Sequence, residues 1–356
     1  MIPLSKPIIG KEEIAAVTRV LESGNLAQGK VTEAFEKQLA SYCGYKCAVV
    51  TSNGTTALHV ALAGHGITSG EVIVPDFTFI ASANAPRFVN AKPVFVDVDK
   101  TTFNILPQSI KKLITSQTKA VIPVSLYGLP YEVDAAKDAV GDIPIISDNC
   151  QAVGAKYKGK RNFGDSCAVL SFYPTKNMTT GEGGAILTDN AEIAEKCKLI
   201  RSHGMRNRYE YLMLGYNFRM TDIAAAIGIE QLKKLDGFTA KRRANAKVLT
   251  ELLSSVKEIE LPFESPGFEH VYHQYTIKVR GGKRDGLKQH LEKNSIGCGV
   301  YYPTPLHSLS LFAGEKHDVC TNTSKLCGEV LSLPVNPLLN EADLQTVADA
   351  VKLFFK

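Results

Sequence analysis

The chain has 356 residues, 44% of them hydrophobic and 22% charged, which is long enough for a large domain and a smaller one. Its net charge of +5 comes without a dense run of Lys or Arg, which disfavours a nucleic-acid-binding protein. The N-terminus has no apolar signal region, and no uninterrupted apolar stretch approaches the ~18 residues of a membrane span. We therefore expect a cytoplasmic protein whose eight scattered cysteines, none in a CxxC pair, are reduced thiols.

Helix-like and strand-like segments alternate from residue 10 to about residue 235. The segments KEEIAAVTRVLES and KVTEAFEKQLASYCG have the apolar spacing of amphipathic helices. Short apolar runs follow at intervals: KCAVVTS, EVIVP, PVFVDV, AVIPVSLYG, PIISD, CAVLSF and GAILTD. Most of these runs lack polar alternation, which is typical of strands covered on both faces. The pattern predicts an α/β domain with a mostly parallel sheet.

The character of the sequence changes after residue 236. A long helical stretch, DIAAAIGIEQLKKLDGFTAKRRANAKVLTELLSS, predicts a connector. Beyond it, the strand QYTIKV, the helix RDGLKQHLEKNS, the strand-like GCGVYYP and the closing helix ADLQTVADAVKLFF indicate a smaller α+β domain. We expect a large α/β domain over residues 1–236 and a small domain over residues 237–356, with the N-terminal segment free to pack against the small one.

The segment SNGTTAL, residues 52–58, joins a predicted strand to a predicted helix through a glycine turn. Such a turn presents backbone N–H groups and threonine hydroxyls at a helix N-terminus, where the partial positive charge favours an anion such as phosphate. The GxxxxGK[ST] pattern of nucleotide-binding loops is absent. The alternative is a simple helix cap by Asn53 or Thr55, without a ligand.

Asp148 ends the predicted strand PIISD, at the carboxyl edge where α/β sheets place their ligands. A carboxylate held there needs a partner, because burying an unpaired charge is costly. Gln151 follows three residues later and can reach the same space. The alternative for Asp148 is a loop cap.

Lys176 lies in SFYPTKNMTTGEGGAIL, a Thr- and Gly-rich loop between two predicted strands, where a solvated lysine is not expected. A lysine amine that can lose its proton condenses with a carbonyl, as in the Schiff base that holds pyridoxal phosphate. That cofactor also needs a carboxylate facing its pyridine nitrogen and an anion site for its phosphate. Together, Lys176, Asp148 and the turn at Gly54 supply all three, with Ser171 as a further phosphate contact, whereas Lys176 alone would indicate a surface lysine.

These segments resemble the DegT family of pyridoxal-phosphate-dependent sugar aminotransferases over nearly the whole chain. The similarity is carried, in the right order, by SNGTTALHVAL, VIVPDFTFIASANA, SDNCQAVGA, SFYPTKNMTTGEGG, LGYNFRMTDIAAAIG and GVYYPTPLH. The resemblance implies the fold of the aspartate-aminotransferase type (fold type I of pyridoxal-phosphate-dependent transferases) and a homodimer with two shared active sites.

The resemblance also implies roles for individual residues. Lys176 forms the Schiff base, Asp148 pairs with the pyridine nitrogen, and Gln151 approaches the ring hydroxyl. Phe79 stacks on the ring, or is plain core. The phosphate is held by a set of small polar residues, Gly54, Thr55, Thr56 and Ser171, and by Asn217 of the second subunit, unless Asn217 is a local cap.

Three further residues are candidates for substrate contacts. Tyr302 and His307, in GVYYPTPLH, are placed to contact the sugar or the diphosphate, with a core or loop role as the alternative. Arg219 has the planar fork that suits a carboxylate, with an interface salt bridge as the alternative.

The resemblance implies amino transfer from an amino acid, L-glutamate in our prediction, to a nucleotide-linked keto-sugar, for surface polysaccharide or aminosugar natural-product biosynthesis. Relatives that dehydrate sugars carry histidine in place of Lys176, which disfavours a dehydratase. A non-enzymatic pyridoxal-phosphate-binding regulator is the other alternative, although no DNA-binding extension is evident. Two departures stand out: a one-residue deletion in SGEVIVP, and Ser125 where the family often has histidine.

Overall fold

The computed structural model describes residues 1–356, which form helices and strands in alternation. The helices are α1 (Lys11–Ser23), α2 (Lys30–Cys43), α3 (Gly54–Gly64), α4 (Ala81–Phe88), α5 (Pro107–Leu113), α6 (Val133–Val140), α7 (Ala191–Arg201), α8 (Asp222–Leu253), α9 (Arg284–Lys293), α10 (Thr321–Glu329) and α11 (Glu341–Phe355). The strands are β1 (Cys47–Thr51), β2 (Glu71–Pro75), β3 (Lys92–Val96), β4 (Thr118–Val121), β5 (Ile146–Asp148), β6 (Lys156–Tyr157), β7 (Cys167–Ser171), β8 (Gly184–Thr188), β9 (Met205–Asn207), β10 (Glu210–Tyr211), β11 (Ile259–Glu260), β12 (Phe268–Glu269), β13 (Tyr275–Val279) and β14 (Val330–Leu333).

The large sheet runs in the order β1-β8-β7-β5 and continues through β4, β2 and β3. Two isolated parallel bridges, Val121 to Ile145 and Val124 to Asp148, join its two halves. All neighbours pair in parallel except β8, which is antiparallel to both β1 and β7. The predicted α/β domain with a mostly parallel, mixed sheet is confirmed.

Helices cover both faces of this sheet, which explains why its strands are continuous apolar runs. One buried cluster joins the sheet to α3, α4 and α7, and another joins the opposite face to α2 and α8. The helix α2 ends where its sequence indicates, because Gly44 adopts a left-handed conformation with φ 77°. The helices α1 and α2 begin at the predicted residues.

A separate core lies in the C-terminal region, between α8, α9, α11 and the antiparallel sheet β11-β13-β14. The helix α8 continues unbroken past residue 236, so it contributes to the cores on both sides of that position. The first residues of the chain pack with this region, since Ile2 bridges to Ile296 and Asn336 donates to the Pro3 carbonyl at 2.9 Å. The division into residues 1–236 and 237–356 stays a prediction.

The segment GCGVYYP differs from its prediction as a strand. It makes one bridge, from Gly299 to Ser332, and then leaves the sheet. The reason is that Tyr301 and Tyr302 turn toward the interior, where the Tyr301 carbonyl accepts a hydrogen bond from Tyr127. All eight cysteines are free. None of the helices combines the length and the apolar character needed to cross a bilayer.

Candidate active site

A cavity of about 990 Å³ opens at the carboxyl edge of the large sheet, where β1, β5 and β7 end. This is the edge at which α/β sheets commonly bind ligands, because loops and helix N-termini converge there. Nine of the twelve predicted site residues line it: Gly54, Thr55, Thr56, Phe79, Asp148, Gln151, Ser171, Lys176 and Tyr302.

The glycine turn, residues 52–56, connects β1 to α3. Asn53 caps α3, since its side-chain oxygen accepts a hydrogen bond from the Thr56 N–H at 2.9 Å. The Thr56 hydroxyl is engaged with the Asn53 backbone in the same cap, at 2.9 Å from its carbonyl. The cap considered as an alternative is therefore present, and it fixes the helix N-terminus that faces the cavity.

Gly54 brings this turn close to the end of β7. A Cβ atom on Gly54 would lie 2.8 Å from the Ser171 Cβ and 3.1 Å from the Cys150 Sγ. Only glycine fits without displacing these neighbours, so the residue type is set by the close approach of the Ser171 and Cys150 side chains to the turn. The hydroxyl of Ser171 thereby faces the N-terminal turn of α3, within reach of an anion bound there.

Lys176 lies in the lysine loop, residues 172–183, which leads from β7 to β8. The loop is folded on itself, because the Lys176 N–H donates to the Tyr173 carbonyl at 2.9 Å and the Thr180 N–H to the Phe172 carbonyl at 3.0 Å. Burial lowers the pKa of the Lys176 amine, and the nearby Cys150 and Asp148 oppose this shift. A lowered pKa makes more of the neutral, nucleophilic amine available.

Asp148 is 5% exposed and has specific partners for both carboxylate oxygens. The Ser82 hydroxyl donates to Oδ2 at 2.7 Å, and the Cys150 N–H donates to Oδ1 at 3.1 Å. These hydrogen bonds fix the orientation of the carboxylate. Ser125, the departure noted in the sequence, is fully buried and donates to the Asn149 side chain at 2.7 Å.

Gln151 links two loops across the cavity wall. Its Oε1 accepts from the Tyr127 N–H at 2.8 Å, and its Nε2 donates to the Tyr302 hydroxyl at 3.1 Å. Burial raises the pKa of Tyr302, which keeps its hydroxyl protonated. Phe79 is 53% exposed and its ring centre is 6.1 Å from that of Tyr302. An aromatic ring left half exposed over a cavity is available to a planar ligand.

Three predicted site residues do not line the cavity: Asn217, Arg219 and His307. Asn217 and Arg219 lie together before α8, with the Arg219 Nε donating to the Asn217 side-chain oxygen at 3.0 Å. His307 pairs with the buried Asp76, whose carboxylate accepts from its backbone N–H at 2.7 Å and contacts its Nδ1 at 2.6 Å.

Sequence reasoning missed the part of the cavity formed by the C-terminal region. We define the C-terminal wall as the residues His273, Gln274, Tyr301, Tyr302, Leu333 and Val335. Leu4 and Ser5 from the N-terminal segment adjoin it. Of these residues only Tyr302 was predicted. The one hint in the sequence is the pair of histidines in HVYHQY, the segment that leads into β13. This segment matches no local motif that would predict a site.

The residues of this cavity fit pyridoxal phosphate. An amine of lowered pKa and an oriented carboxylate share the cavity, and the glycine turn presents the N-terminus of α3 to the same cavity as an anion site. In this arrangement Lys176 would hold the aldehyde carbon, Asp148 the pyridine nitrogen, and Thr55 with Ser171 the phosphate. When bound, this cofactor supplies an electron sink for proton transfer at the carbon next to an amine nitrogen.

Residues 7–352 match the DegT/DnrJ/EryC1/StrS aminotransferase family. A relative from Geobacillus stearothermophilus, described as a pleiotropic regulatory protein, is 40% identical, and the match covers 97% of this chain and 95% of the relative. The dTDP-3-amino-3,4,6-trideoxy-α-D-glucose transaminase of Streptomyces venezuelae is 36% identical, with 96% and 91% covered. The UDP-N-acetyl-3-dehydro-α-D-glucosamine 3-aminotransferase of Acidithiobacillus ferrooxidans is 35% identical, with 96% and 93% covered.

Solved structures agree with the sequence relatives. DesV of S. venezuelae, solved with a ketimine intermediate, superposes with a TM-score of 0.93 at 36% identity, covering 96% of this chain and 94% of DesV. A putative sugar aminotransferase of Streptococcus pneumoniae is similar in both its pyridoxal-phosphate and pyridoxamine-phosphate forms, each with a TM-score of 0.93. These two are 26–27% identical over 99% of this chain and 97–98% of theirs.

The predicted family and the predicted cofactor, pyridoxal phosphate, are thus confirmed. The chain belongs to the DegT/DnrJ/EryC1/StrS aminotransferase family.

Proposed function

We propose that this protein transfers an amino group from L-glutamate to the ketone of a nucleotide-linked sugar, with Lys176 and Asp148 as its catalytic residues. One observation carries the proposal: a lysine of lowered pKa, a hydrogen-bonded carboxylate and a capped glycine turn converge in one cavity at the carboxyl edge of the sheet. This set supplies a nucleophilic amine, a counter-charge and an anion site.

The proposed reaction assigns a task to four residues of the cavity. Lys176 would hold the cofactor through its amine. The same amine, when free, would act as the base that takes the proton from the α-carbon of the amino donor and as the acid that gives it back to carbon. Asp148 would face the pyridine nitrogen of the cofactor, and the Ser82 hydroxyl and the Cys150 N–H fix the orientation of its carboxylate. Gln151 and Tyr302 fix the ring side of the cavity through their mutual hydrogen bond.

The substrate class rests on the relatives. Two of them, at 36% and 35% identity, are named as enzymes that place nitrogen on carbon 3 of a nucleotide-linked sugar. We therefore extend the proposal to a 3-keto sugar as the amino acceptor. Tyr302 and Phe79 line the cavity, and this supports them as contacts of the acceptor sugar in our proposal.

The proposal is tested by half-reactions. The pyridoxamine form of the protein is incubated separately with dTDP- and UDP-linked 3-keto and 4-keto sugars, and recovery of the aldehyde absorbance is followed. We expect recovery with a 3-keto substrate. Recovery with 4-keto sugars alone would contradict the carbon-3 assignment, and no recovery with any nucleotide sugar would contradict the substrate class.

We propose further that the working unit is a homodimer. Lys176 is the only Lys or Arg among the residues that line the cavity, although the cofactor and a nucleotide sugar both carry phosphate. Asn217 and Arg219 closely follow an exposed apolar segment, residues 209–214, in the sequence. In this segment Leu214 is 81% exposed and Tyr209 is 71% exposed. An exposed apolar segment of this kind is typical of a protein interface. Pairing two copies through it would bring each Asn217 and Arg219 to the other's site.

Mixed dimers test this arrangement. A Lys176→Ala subunit and an Asn217→Ala subunit, each inactive alone, are mixed under conditions in which subunit exchange is verified by mass labels. One site of the mixed dimer would carry both changes and the other would carry neither, so activity should partly return. If exchange occurs and no activity returns, Asn217 does not serve the neighbouring site.

A second candidate function is a pyridoxal-phosphate-binding regulator without turnover. The observation that favours it is the name of the 40% identical relative from G. stearothermophilus. The two candidates separate on one measurement: the rate at which L-glutamate converts the aldehyde form into the pyridoxamine form. Conversion within seconds supports the enzyme, whereas stable yellow protein in excess glutamate and other amino acids supports the regulator.

A further inference from the structure

His273 is a buried histidine in the C-terminal wall for which the proposed reaction has no task so far. It is 8% exposed and lines the same cavity as Lys176. Its Nδ1 has no hydrogen-bond partner. A buried polar group without a partner is uncommon in folded proteins and calls for an explanation, such as a partner that arrives only in one state of the protein.

The backbone around His273 is held by contacts with three other segments of the chain. On one side, the Val271 N–H donates to the Gly128 carbonyl at 3.0 Å. On another, Arg242 of α8 donates to the His273 carbonyl at 3.3 Å. A Cβ atom on Gly128 would lie 2.9 Å from the backbone nitrogen of His273, so the Gly128 loop packs closely against the His273 backbone. These contacts fix the position of the His273 backbone, which keeps its side chain at the cavity wall.

The third contact ties His273 to the lysine loop. Asn177, which directly follows Lys176, donates from its side chain to the Val271 carbonyl at 2.9 Å. The residue after the catalytic lysine is thus fastened two residues before His273. This contact fixes the positions of the Lys176 and His273 backbones relative to each other, although the two residues are far apart in the sequence.

The charges around the two groups decide which one carries a proton. Burial, followed by the positive charges of Lys176, Arg242 and His270, lowers the pKa of His273 well below its ordinary value. The imidazole is therefore neutral at physiological pH and has a nitrogen that accepts a hydrogen bond. Lys176 in turn is influenced by burial and by the charges of Cys150 and Asp148, with no side-chain hydrogen bond of its own.

We infer that His273 is a positioning residue that accepts a hydrogen bond from the Lys176 amine whenever that amine is not bonded to the cofactor. Both groups are unpaired, both lie in one cavity, and the lysine side chain has the rotational freedom to turn toward a fixed imidazole. This inference rests on the proposed function, since it requires Lys176 to be the lysine that is released during turnover.

The consequence for the reaction concerns where the proton is held. A neutral acceptor beside the amine stabilises its protonated form without adding charge. The free amine of Lys176 would then keep its proton, and its side chain would stay oriented toward the imidazole, until the amine gives that proton back to carbon. Without the imidazole, the amine would sample other directions and lose the proton more readily, so the proton-transfer step would slow.

The test uses the pyridoxamine form, in which Lys176 is a free amine. The protein is labelled with acetic anhydride over a range of pH, and the extent of acetylation of Lys176 is measured by peptide mass spectrometry. Lys247, whose side chain is 79% exposed, serves as the internal reference. We expect His273→Leu to lower the midpoint for Lys176 by about one pH unit, because the charged amine loses its acceptor.

Three further variants sharpen the result. His273→Gln keeps a hydrogen-bond acceptor and should restore the Lys176 midpoint. His273→Phe keeps a flat ring but has no nitrogen, so it should lower the midpoint as His273→Leu does. It replaces the leucine variant if that protein folds poorly. His59→Leu is the matched control, since His59 is 7% exposed, lines the same cavity, and has its pKa lowered by burial alone. His59→Leu should leave the midpoint unchanged.

A kinetic readout accompanies the labelling. In His273→Leu we expect kcat to fall about tenfold with little change in KM, because the change affects proton transfer rather than binding. An unchanged Lys176 midpoint in both apolar variants, or an equal shift in His59→Leu, would overturn the inference. If borohydride reduction instead attaches the cofactor to a different lysine, it is the proposed function that fails, and the two failures are thereby distinguished.

Discussion

The cavity has two walls that are built in different ways. The sheet-edge wall consists of strand ends and the short turns after them: the glycine turn after β1, Asp148 at the end of β5, and Ser171 with the lysine loop after β7. The C-terminal wall gathers residues from three distant segments, near residues 273, 301 and 333. The first wall owes its geometry to local backbone structure, and the second to long-range packing.

This difference teaches where function can be altered independently of the fold. In the sheet-edge wall, side chains and backbone are fixed by the sheet, so a changed residue should affect chemistry directly. In the C-terminal wall, the side chains come from segments that long-range contacts bring to the cavity, such as the contact from Arg242 to His273. We expect the first wall to set the reaction and the second to set orientation and substrate choice.

The largest effect should come from Lys176→Ala in the sheet-edge wall. Amino transfer should fall at least about a thousandfold, because no other amine in the cavity can move the proton. Rapid-mixing measurement of the glutamate half-reaction checks this. The matched control is Lys278→Ala, which removes another buried lysine, paired with Glu260 outside the cavity. The Lys278→Ala variant should be less stable but active. A near-normal rate of the glutamate half-reaction in Lys176→Ala would contradict the assignment of Lys176.

Asp148→Asn should come next, with a loss of about a hundredfold in the glutamate half-reaction, since the charge opposite the pyridine nitrogen is gone. Asp97 provides a control at the end of another strand of the same sheet, where its carboxylate accepts from the Asn322 and Thr323 N–H groups. Asp97→Asn should lower the melting temperature and leave the half-reaction rate unchanged. Equal rate losses in both variants would make Asp148 a structural residue.

Gly54→Ala should weaken binding of the cofactor about tenfold or more, because the added Cβ would lie 2.8 Å from the Ser171 Cβ and push the glycine turn away from the end of β7. Equilibrium dialysis against pyridoxal phosphate measures this. Gly237→Ala is the control: it lies in α8 with open space around it, and there alanine should stabilise the helix by about 0.5–1 kcal/mol. Unchanged cofactor affinity in Gly54→Ala would argue that the turn is only a helix cap.

The smallest effect should come from Ser82→Ala, about fivefold in rate, since Asp148 loses one hydrogen bond worth about 1 kcal/mol but keeps that from the Cys150 N–H. Ser147→Ala is the control one residue before Asp148, because its hydroxyl bonds to Tyr131 instead. Both variants should lose similar stability in urea titrations. A rate loss in Ser147→Ala as large as in Ser82→Ala would show that the effect is structural.

The residues of the sheet-edge wall could be named from the sequence, because each part of that wall has a local cause, whereas their roles stay predictions. The helix cap at Asn53 and the glycine at position 54 lie within a few residues of a strand, and Asp148 ends an apolar run. His273 had no such cause, since its burial depends on Gly128, Asn177 and Arg242. The same limit applies to GCGVYYP, whose departure from the sheet depends on contacts with Tyr127 and Gln151. The dimer and the domain boundary at residue 236 stay predictions.

The antiparallel direction of β8 has a consequence for how this site can vary. Because Gly184 of β8 pairs with both Ser171 and Thr51, the lysine loop leaves and re-enters the sheet at one edge. A Cβ on Gly184 would lie 2.3 Å from the Asn53 carbonyl oxygen, so the exit of the lysine loop is pressed against the glycine turn. One extra residue in the loop would therefore shift the lysine and the phosphate end of the site together. Insertions in the lysine loop should be tolerated far less than insertions in other surface loops. Proteins of this kind can therefore change their chemistry at the carboxyl edge of the sheet by substitution rather than by insertion.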